Sequence, residues 1–470
     1  MKEKVWRELG VPDPEYERVI KGLSVKHYRV DALYGLTLFE YKRPNTLRRH
    51  ASREEAVNKV KNEYIPGLLE DSEIKKIINE IKKSGLSPRV AGVIIDGYNV
   101  VFVDCHVDRG TCIADPEVGA YPIDEWSLRR IVRVVMASYK KRLDARSLAS
   151  DFGYRSVIAR KVVRTFYNNL LNPRSERTKV LFEEWKKVVS QAYPLSPSEL
   201  AKIAELYGFS EDEVRDIQGD KLFYAIQTYY ALLLKLLAAE VSARFYNASA
   251  AAYFKHLLRA RDYGDLRREL ELLETGTVYR WFGIRNFLEG EMFNWYLDEW
   301  SGEIAEVIRE IIEVLSGYDV EAITMDLQSA RDMFKLLYEE LVPREEVRKY
   351  LGIYTTPDWL AELILDELGL SASGFKDIES KGVDPLNVKV LDPGVGTGTF
   401  LSLVIQRLAT YLRERHPDRI PRDVAKRALE AITRNIVGFD IDALAILTAK
   451  TNYLLALAST ELLAYKGVRL

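Results

Sequence analysis

Val390 to Leu401 reads VLDPGVGTGTFL. A short β-like run ends at Asp392 and Pro393, glycines stand at 394, 396 and 398, and an apolar helical pattern opens at Thr399 and Phe400. Strand, glycine loop and helix in that order form a cofactor-binding βα turn. Glycines let the backbone come close to a ligand, and the helix amino end offers unpaired N–H donors.

The residues around the loop narrow the ligand. A phosphate loop needs a lysine before Ser or Thr, and none follows these glycines. A dinucleotide site needs an acidic residue about twenty positions on. Here the next acidic strand end is Asp440 in VGFDID, past two helical patterns. Asp392 at the loop entrance would repel a pyrophosphate and suits an ammonium group, while Asp440 can accept hydrogen bonds from a ribose. An amino-acid head beside Asp392 and a ribose at Asp440 describe S-adenosylmethionine.

Outward from the loop, TGTFLSLVIQRLATYLRER and RDVAKRALEAITR read as helices, NIVGFDI as a second strand and DALAILTAKTNYLLALAST as a third helix. YKGVRL reads as the start of a third strand. Strands alternating with helices imply a parallel sheet. From about Glu125 to Arg348 the period is helical throughout, with Ser196 and Ser210 as helix-cap candidates. Near the amino end, HYRVDALYGLTLFEYKRP reads as two strands around Tyr34-Gly35, followed by a polar helix from Ser52 to Leu69. RVAGVIIDGYNVVFVD reads as a hairpin turning on Asp96-Gly97, since Asp-Gly favours the turn whose twist suits paired strands.

The expected architecture is therefore multidomain: α+β over residues 1–124, all-α over 125–345 and α/β over 346–470. A chain of 470 residues is long enough for two or three cores. With 47% hydrophobic and 29% charged residues and no apolar run read as long enough to cross a bilayer, a soluble protein without a membrane partner is expected. MKEKVWRELG lacks a signal core, and Cys105 and Cys112 are too few for a disulfide framework, so a reducing cytoplasm is the expected compartment.

The net charge of -2 conceals a basic stretch. From Leu128 to Val188 there are sixteen Lys and Arg against five Asp and Glu. Such an excess suits a phosphate-binding surface, or a solvated face balanced by acidic helices elsewhere.

DPGVGTGTF resembles the first motif of the amino-methylating adenine DNA methyltransferases, GFDIDALAI their second, and RKYLGIYTTPDWL their preceding aromatic-Thr-Pro turn. The resemblance implies an incomplete Rossmann-like S-adenosylmethionine domain. In it, Asp392 takes the amino group, Gly394 and Gly396 line the methionine, and Asp440 with Ile441 meets the nucleoside. Thr356 and Pro357, with Tyr354 and Thr355 before them, close the site. The family's Asn-Pro-Pro-Tyr or Asp-Pro-Pro-Tyr motif holds an extruded adenine. No Pro-Pro pair occurs in this sequence. The expectation is that a further region or a second chain supplies that motif, with the target-recognition domain, and that this chain does not methylate DNA alone.

A second chemistry lies in RVDALYGLTLFEYKRP. Period-two alternation puts Glu40 and Lys42 on one sheet face, and Asp31 at the hairpin start joins them. Two carboxylates suit a hard divalent cation that polarises a phosphodiester, and a lysine can orient the water. This resembles the PD-(D/E)XK nucleases. That resemblance implies Asp31, Glu40 and Lys42 as catalytic residues, and Mg2+ held by Asp31 and Glu40 with Glu15 or Glu17 of the preceding, helical stretch. The helix after the motif carries Asn58, Asn62 and Tyr64 where the family often has a Gln.

Nuclease, helical connector and adenine methyltransferase in that order resemble the type IIG restriction-modification enzymes, which act on double-stranded DNA. Two rivals stand beside this reading: a phage-defence methyltransferase with an inert front domain, and a non-catalytic subunit that clamps DNA through Leu128 to Val188.

Overall fold

The computed structural model describes residues 15–16, 19–21, 27–83, 88–106, 111–115, 120–124, 127–128, 131, 134–135, 141–142, 145–192, 197–245, 253–285, 287–288, 292–319, 356–417, 420–458, 460 and 462. Two compact units result, one of residues 1–143 with 318–326 and 412–421, the other of 144–317, 327–411 and 422–470.

The first unit is built on a mixed sheet. Its strands are β1 (Glu15–Tyr16), β4 (Ala32–Tyr34), β5 (Thr37–Tyr41), β6 (Arg89–Ile95), β7 (Asn99–His106) and β8 (Thr111–Asp115) in that spatial order, with β9 (Tyr121–Pro122) on β7. A separate hairpin joins β2 (Val19–Lys21) and β3 (His27–Arg29). Both expected hairpins form: β4 and β5 pair antiparallel around Gly35, and β6 and β7 around Gly97. Gly35 and Gly97 take φ of 59° and 84°, a left-handed conformation that glycine adopts without a Cβ penalty. The central pair β5 and β6 is parallel.

Helix α1 (His50–Lys59) runs through a π-helical turn, Val60–Tyr64, into a further helix, Ile65–Glu70. Val60, Ile65 and Leu68 pack with Leu38, Ile94 and Val103 on one sheet face. Phe39, Val93 and Phe102 pack with Ile131 and Val135 on the other. The stretch before the first hairpin, expected as helix, instead forms β1 and β2. β1 pairs with β4 at the edge of the main sheet and β2 with β3 in the separate hairpin, so backbone hydrogen bonding across strands outweighs local preference. Cys105 is engaged in a disulfide, and Cys112 is its register partner across β7 and β8.

The second unit is mainly helical. Helix α2 (Val157–Leu171), α3 (Glu176–Ala192) and α5 (Gly302–Ser316) surround α4 (Gly219–Phe245), whose residues 222–243 are all buried. Within α4 the stretch Gly219–Ala243 is apolar and long enough to span a membrane, contrary to the sequence expectation. It is instead the core of this unit, and it carries Lys235 and Glu240 inside that core. Strand signals do not vanish after residue 125 either, since β10 (Lys141–Arg142) pairs parallel with β11 (Tyr318–Asp319) in the first unit. Ser210 caps the helix Glu211–Arg215 through a capping box with Glu213, while Ser196 lies outside the described residues.

The same unit contains the α/β region apart from residues 412–421. Helix α6 (Asp358–Glu367) starts directly after Pro357. Strand β12 (Val390–Asp392) then leads into α7 (Thr399–Arg415), α8 (Arg422–Asn435), β13 (Ile436–Gly438) and α9 (Ala443–Ala458). Strands β12 and β13 pair parallel, with Asp392 opposite Gly438, as the crossover through two helices requires. Helix α9 packs along α4. YKGVRL lies outside the described residues.

Candidate functional site

The β4–β5 register pairs Ala32 with Phe39, so one step further along the hairpin Asp31 stands across from Glu40. Asp31 is fixed there by its carboxylate, which accepts from the Tyr41 amide at 2.6 Å. Glu40 is buried, with 5% of its surface exposed, on the sheet face that the π-helical turn covers. Its Oε1 accepts from Lys42 Nζ at 2.7 Å. Asp31, Glu40 and Lys42 therefore converge in one place.

Two further groups join them. Lys59 Nζ approaches the same Glu40 oxygen at 3.5 Å and lies 4.7 Å from the ring centroid of Tyr64. The π-helical turn explains why both reach the site, because it begins directly after Lys59 and ends at Tyr64. Such turns insert an extra residue into the helix and re-aim its side chains. Asn58 and Asn62 are exposed, and the side chains that interact with Glu40 from this helix are Lys59 and Tyr64. The sequence carries no local signal for Lys59, since its reach depends on the π-helical turn.

The charges act on one another. Burial works against the Lys59 ammonium, yet its hydrogen bond with Tyr64 and the attraction of Glu40 outweigh this and raise its pKa. The Tyr64 phenol is raised by burial, against a lowering by Lys59, with the charges of Glu40 and Asp31 adding to the rise. Tyr41 is raised by burial, then by Tyr16 and Asp31. Asp31 and Glu40 are hard oxygen donors in adjacent positions, a set that fits a magnesium ion completed by water and phosphate oxygens. Among the described residues no three His, Cys, Asp or Glu side chains gather as a metal cluster. Glu17 lies outside the described residues, and Glu15 contributes a backbone pair to Leu33.

The glycine loop is organised by the two acidic residues. Asp392 Oδ1 accepts from the Gly394 amide at 3.1 Å, and Asp440 Oδ2 accepts from the Gly396 amide at 2.8 Å. The other Asp440 oxygen accepts from the Asp442 amide at 3.0 Å. A Cβ added to Gly394 or Gly396 would meet nothing within 4 Å, so the loop leaves open space where a ligand can lie. At Gly398, with φ of 81°, a Cβ would stand 3.1 Å from Ala449 Cα, so this glycine serves the packing of α9. Phe439 and Ile441, on either side of Asp440, are 61% exposed and form an apolar rim. Pro393 is exposed, and Thr399 and Phe400 begin α7.

Pro357 takes the N-cap position of α6, directly after Thr356. Arg407 of α7 donates to the carbonyls of Glu362 and Leu370, tying α6 to the helix that follows the loop. Tyr354 and Thr355 lie outside the described residues.

Part of the basic stretch is paired with carboxylates. Lys161 pairs with Glu310 at 2.8 Å and Glu306 at 3.4 Å, and Lys186 pairs with Asp220 at 2.8 Å. Arg174 meets Glu299 at 3.3 Å, while Arg164 and Arg177 pair with Glu213 and Asp298. For these residues the balanced-face alternative holds.

No family model matches the chain. It is 28% identical over 192 residues to a Methanocaldococcus jannaschii protein that carries a provisional description as a type II restriction enzyme and methyltransferase. That match covers 32% of this chain and 16% of the relative's length. Among solved structures, a cryo-EM structure of a DrdV–DNA complex matches with a TM-score of 0.31 and 15% identity, over 99% of this chain and 36% of that one. The chain is thus similar in sequence, over about a third of its length, to a protein described as both a restriction enzyme and a methyltransferase.

Proposed function

We propose that this chain carries the nuclease and cofactor-binding parts of a restriction-modification protein of the type IIG kind. The first unit is read as a PD-(D/E)XK nuclease acting on double-stranded DNA, and residues 356–458 as the start of a Rossmann-like S-adenosylmethionine domain. The observation that carries the reading is the convergence of Asp31, Glu40 and Lys42 on one end of the β4–β5 hairpin. The provisional description of the sequence relative supports it.

In this reading Asp31 and Glu40 hold Mg2+, which when bound supplies Lewis-acid polarisation of a phosphodiester and a hydroxide at neutral pH. The Tyr41 amide orients Asp31. Lys42 neutralises Glu40 and carries the ammonium that orients the attacking water. Lys59 and Tyr64 close the helix side of the site. At the glycine loop, Asp392 and Asp440 hold the amino and ribose ends of S-adenosylmethionine, which supplies the methyl group. The open side of Gly394 and Gly396 and the apolar rim of Phe439 and Ile441 fit such a ligand. Adenine methylation is assigned to the whole protein, with the missing Pro-Pro motif and target recognition supplied by a further region or second chain; the compartment is the cytoplasm.

The test is nicking of supercoiled plasmid by the full chain with Mg2+ and with chelator. Wild type nicks only with the metal, and Glu40→Gln and Lys42→Met lose the activity. Nicking by Glu40→Gln at the wild-type rate would instead favour an inert front domain.

A further inference from the structure

The segment between the candidate nuclease site and α1 breaks the rules of helix stability. Arg48, Arg49 and His50 crowd the amino end of α1, where the backbone dipole is positive and carboxylates are preferred. Arg49 holds the N-cap position without a side-chain cap bond, and the first turn has no acidic residue. An arginine there forfeits the stabilisation that Ser, Thr, Asp or Asn would give. The first-turn amides are thus left open beside three basic side chains. Departures of this kind occur at functional sites.

The turn itself is held by several hydrogen bonds. Leu47 is fully buried, and its amide donates to the buried Asp96 carboxylate at 2.8 Å. Thr46 donates to the Arg43 carbonyl through both its amide, at 3.1 Å, and its hydroxyl, at 2.6 Å. Asn45 takes a left-handed φ of 63°, which turns the chain back. Lys42 is held by its amide on the Ile95 carbonyl at 2.7 Å. Arg43 and Arg48–Arg49 are therefore set at the two ends of one tight turn, all three exposed. Arg53 is spent inside the turn, donating to the Leu47 carbonyl, and His50 pairs with Glu54 at 3.6 Å. Arg43, Arg48 and Arg49 have no ion-pair partner among the described residues.

We infer that Arg43, Arg48 and Arg49, with the open amino end of α1, form the grip that seats the phosphate backbone of duplex DNA against the Asp31–Glu40–Lys42 site. The place follows from the chain: Arg43 is three residues beyond Glu40, a reach of at most about 10 Å. Charge is the second reason. The paired face of Lys161, Arg164, Arg174, Arg177 and Lys186 has already spent its cations on carboxylates, whereas this turn has not. A strand of phosphates is the polyanion that a phosphodiester site must hold, so the inference rests on the nuclease reading for its choice of ligand.

The experiment measures binding of a short fluorescent duplex to the full chain in chelator, between about 50 and 200 mM salt. Replacing all three arginines with glutamine weakens binding by about 100-fold at the lower salt and lowers the salt slope by about one per arginine. The corresponding triple lysine variant keeps the slope. Melting of the glutamine variant stays at or above wild type, because cations have left a helix amino end. Wild-type affinity and slope in the glutamine variant would overturn the inference, as would tighter binding of single-stranded RNA of the same length. The nuclease reading fails separately, through undiminished nicking by Glu40→Gln while duplex binding still depends on the arginines.

Discussion

The Gly396 amide donates to the Asp440 carboxylate at 2.8 Å, joining the end of one parallel strand to the loop after its neighbour across 44 positions of sequence. Asp440 also accepts from Asp442, so one side chain organises both loops at the carboxyl ends of β12 and β13. Asp440→Ala frees both amides and removes the ribose acceptor. Each such bond to a charged group contributes about 1.5–3 kcal/mol, so calorimetric affinity for S-adenosylmethionine falls by about 100-fold or more. Unchanged affinity would remove Asp440 from the ligand set.

Gly398 and Gly394 separate packing from ligand contact. Gly398→Ala meets the Ala449 backbone and a φ of 81°, and costs about 2 kcal/mol in stability, read as a lower melting temperature. Gly394→Ala meets open space, so melting is unchanged while cofactor affinity drops. Equal melting losses for both would contradict this division.

Lys42 and Lys59 share one Glu40 oxygen at 2.7 and 3.5 Å. The shorter contact belongs to the residue read as catalytic. Lys42→Met lowers plasmid nicking by about 100-fold or more, the scale of a positioned general acid–base group. Lys59→Met lowers it less and tightens divalent-ion binding, measured by titration without DNA, because a competing cation is gone. Weaker ion binding in Lys59→Met would show that Lys59 organises Glu40 rather than competing for it.

Lys235 and Glu274 form an ion pair at 2.6 Å with 0% and 1% of their side chains exposed, and Tyr296 also donates to Glu274 at 2.7 Å. Removing one partner strands a buried charge. Lys235→Met therefore destabilises by about 3–5 kcal/mol in thermal or denaturant melting. Lys235→Met with Glu274→Leu recovers a large part of that loss, and a double variant as unstable as the single one would refute the stranded-charge account.

The Arg164 guanidinium and the Ser210 amide and hydroxyl hold the Glu213 carboxyl down, from an ordinary 4.5 to about 2. A lowered folded value means that its contribution is present above about 4.5 and is lost as pH falls towards 2. Melting temperature across that window should decline less steeply in Glu213→Gln than in wild type. Parallel curves would show that Glu213 carries no such linkage.

Local chemistry accounts for what was legible beforehand. The Gly35 and Gly97 hairpins, the Ser210 helix cap and the helix after the glycine loop follow from residues a few positions apart. Strand pairing carried Asp31 to Glu40 because hairpin register is fixed by its turn. Where residues are joined over long separations, sequence was silent. Lys59 reaches Glu40 only through a π-helical turn, and β1 pairs with β4 across an intervening hairpin where a helix was expected.

The sequence by itself determined the two motif-bearing loops and the elements around them, since turn, cap and period are properties of neighbouring residues. Only the tertiary structure decided where free positive charge lies. Part of the excess in Leu128 to Val188 is met by Glu213, Asp220, Glu299 and Glu310, residues up to 149 positions away, while Arg43, Arg48 and Arg49 keep theirs. Charge counts are additive along a chain, but ion pairing depends on which carboxylates folding brings within reach.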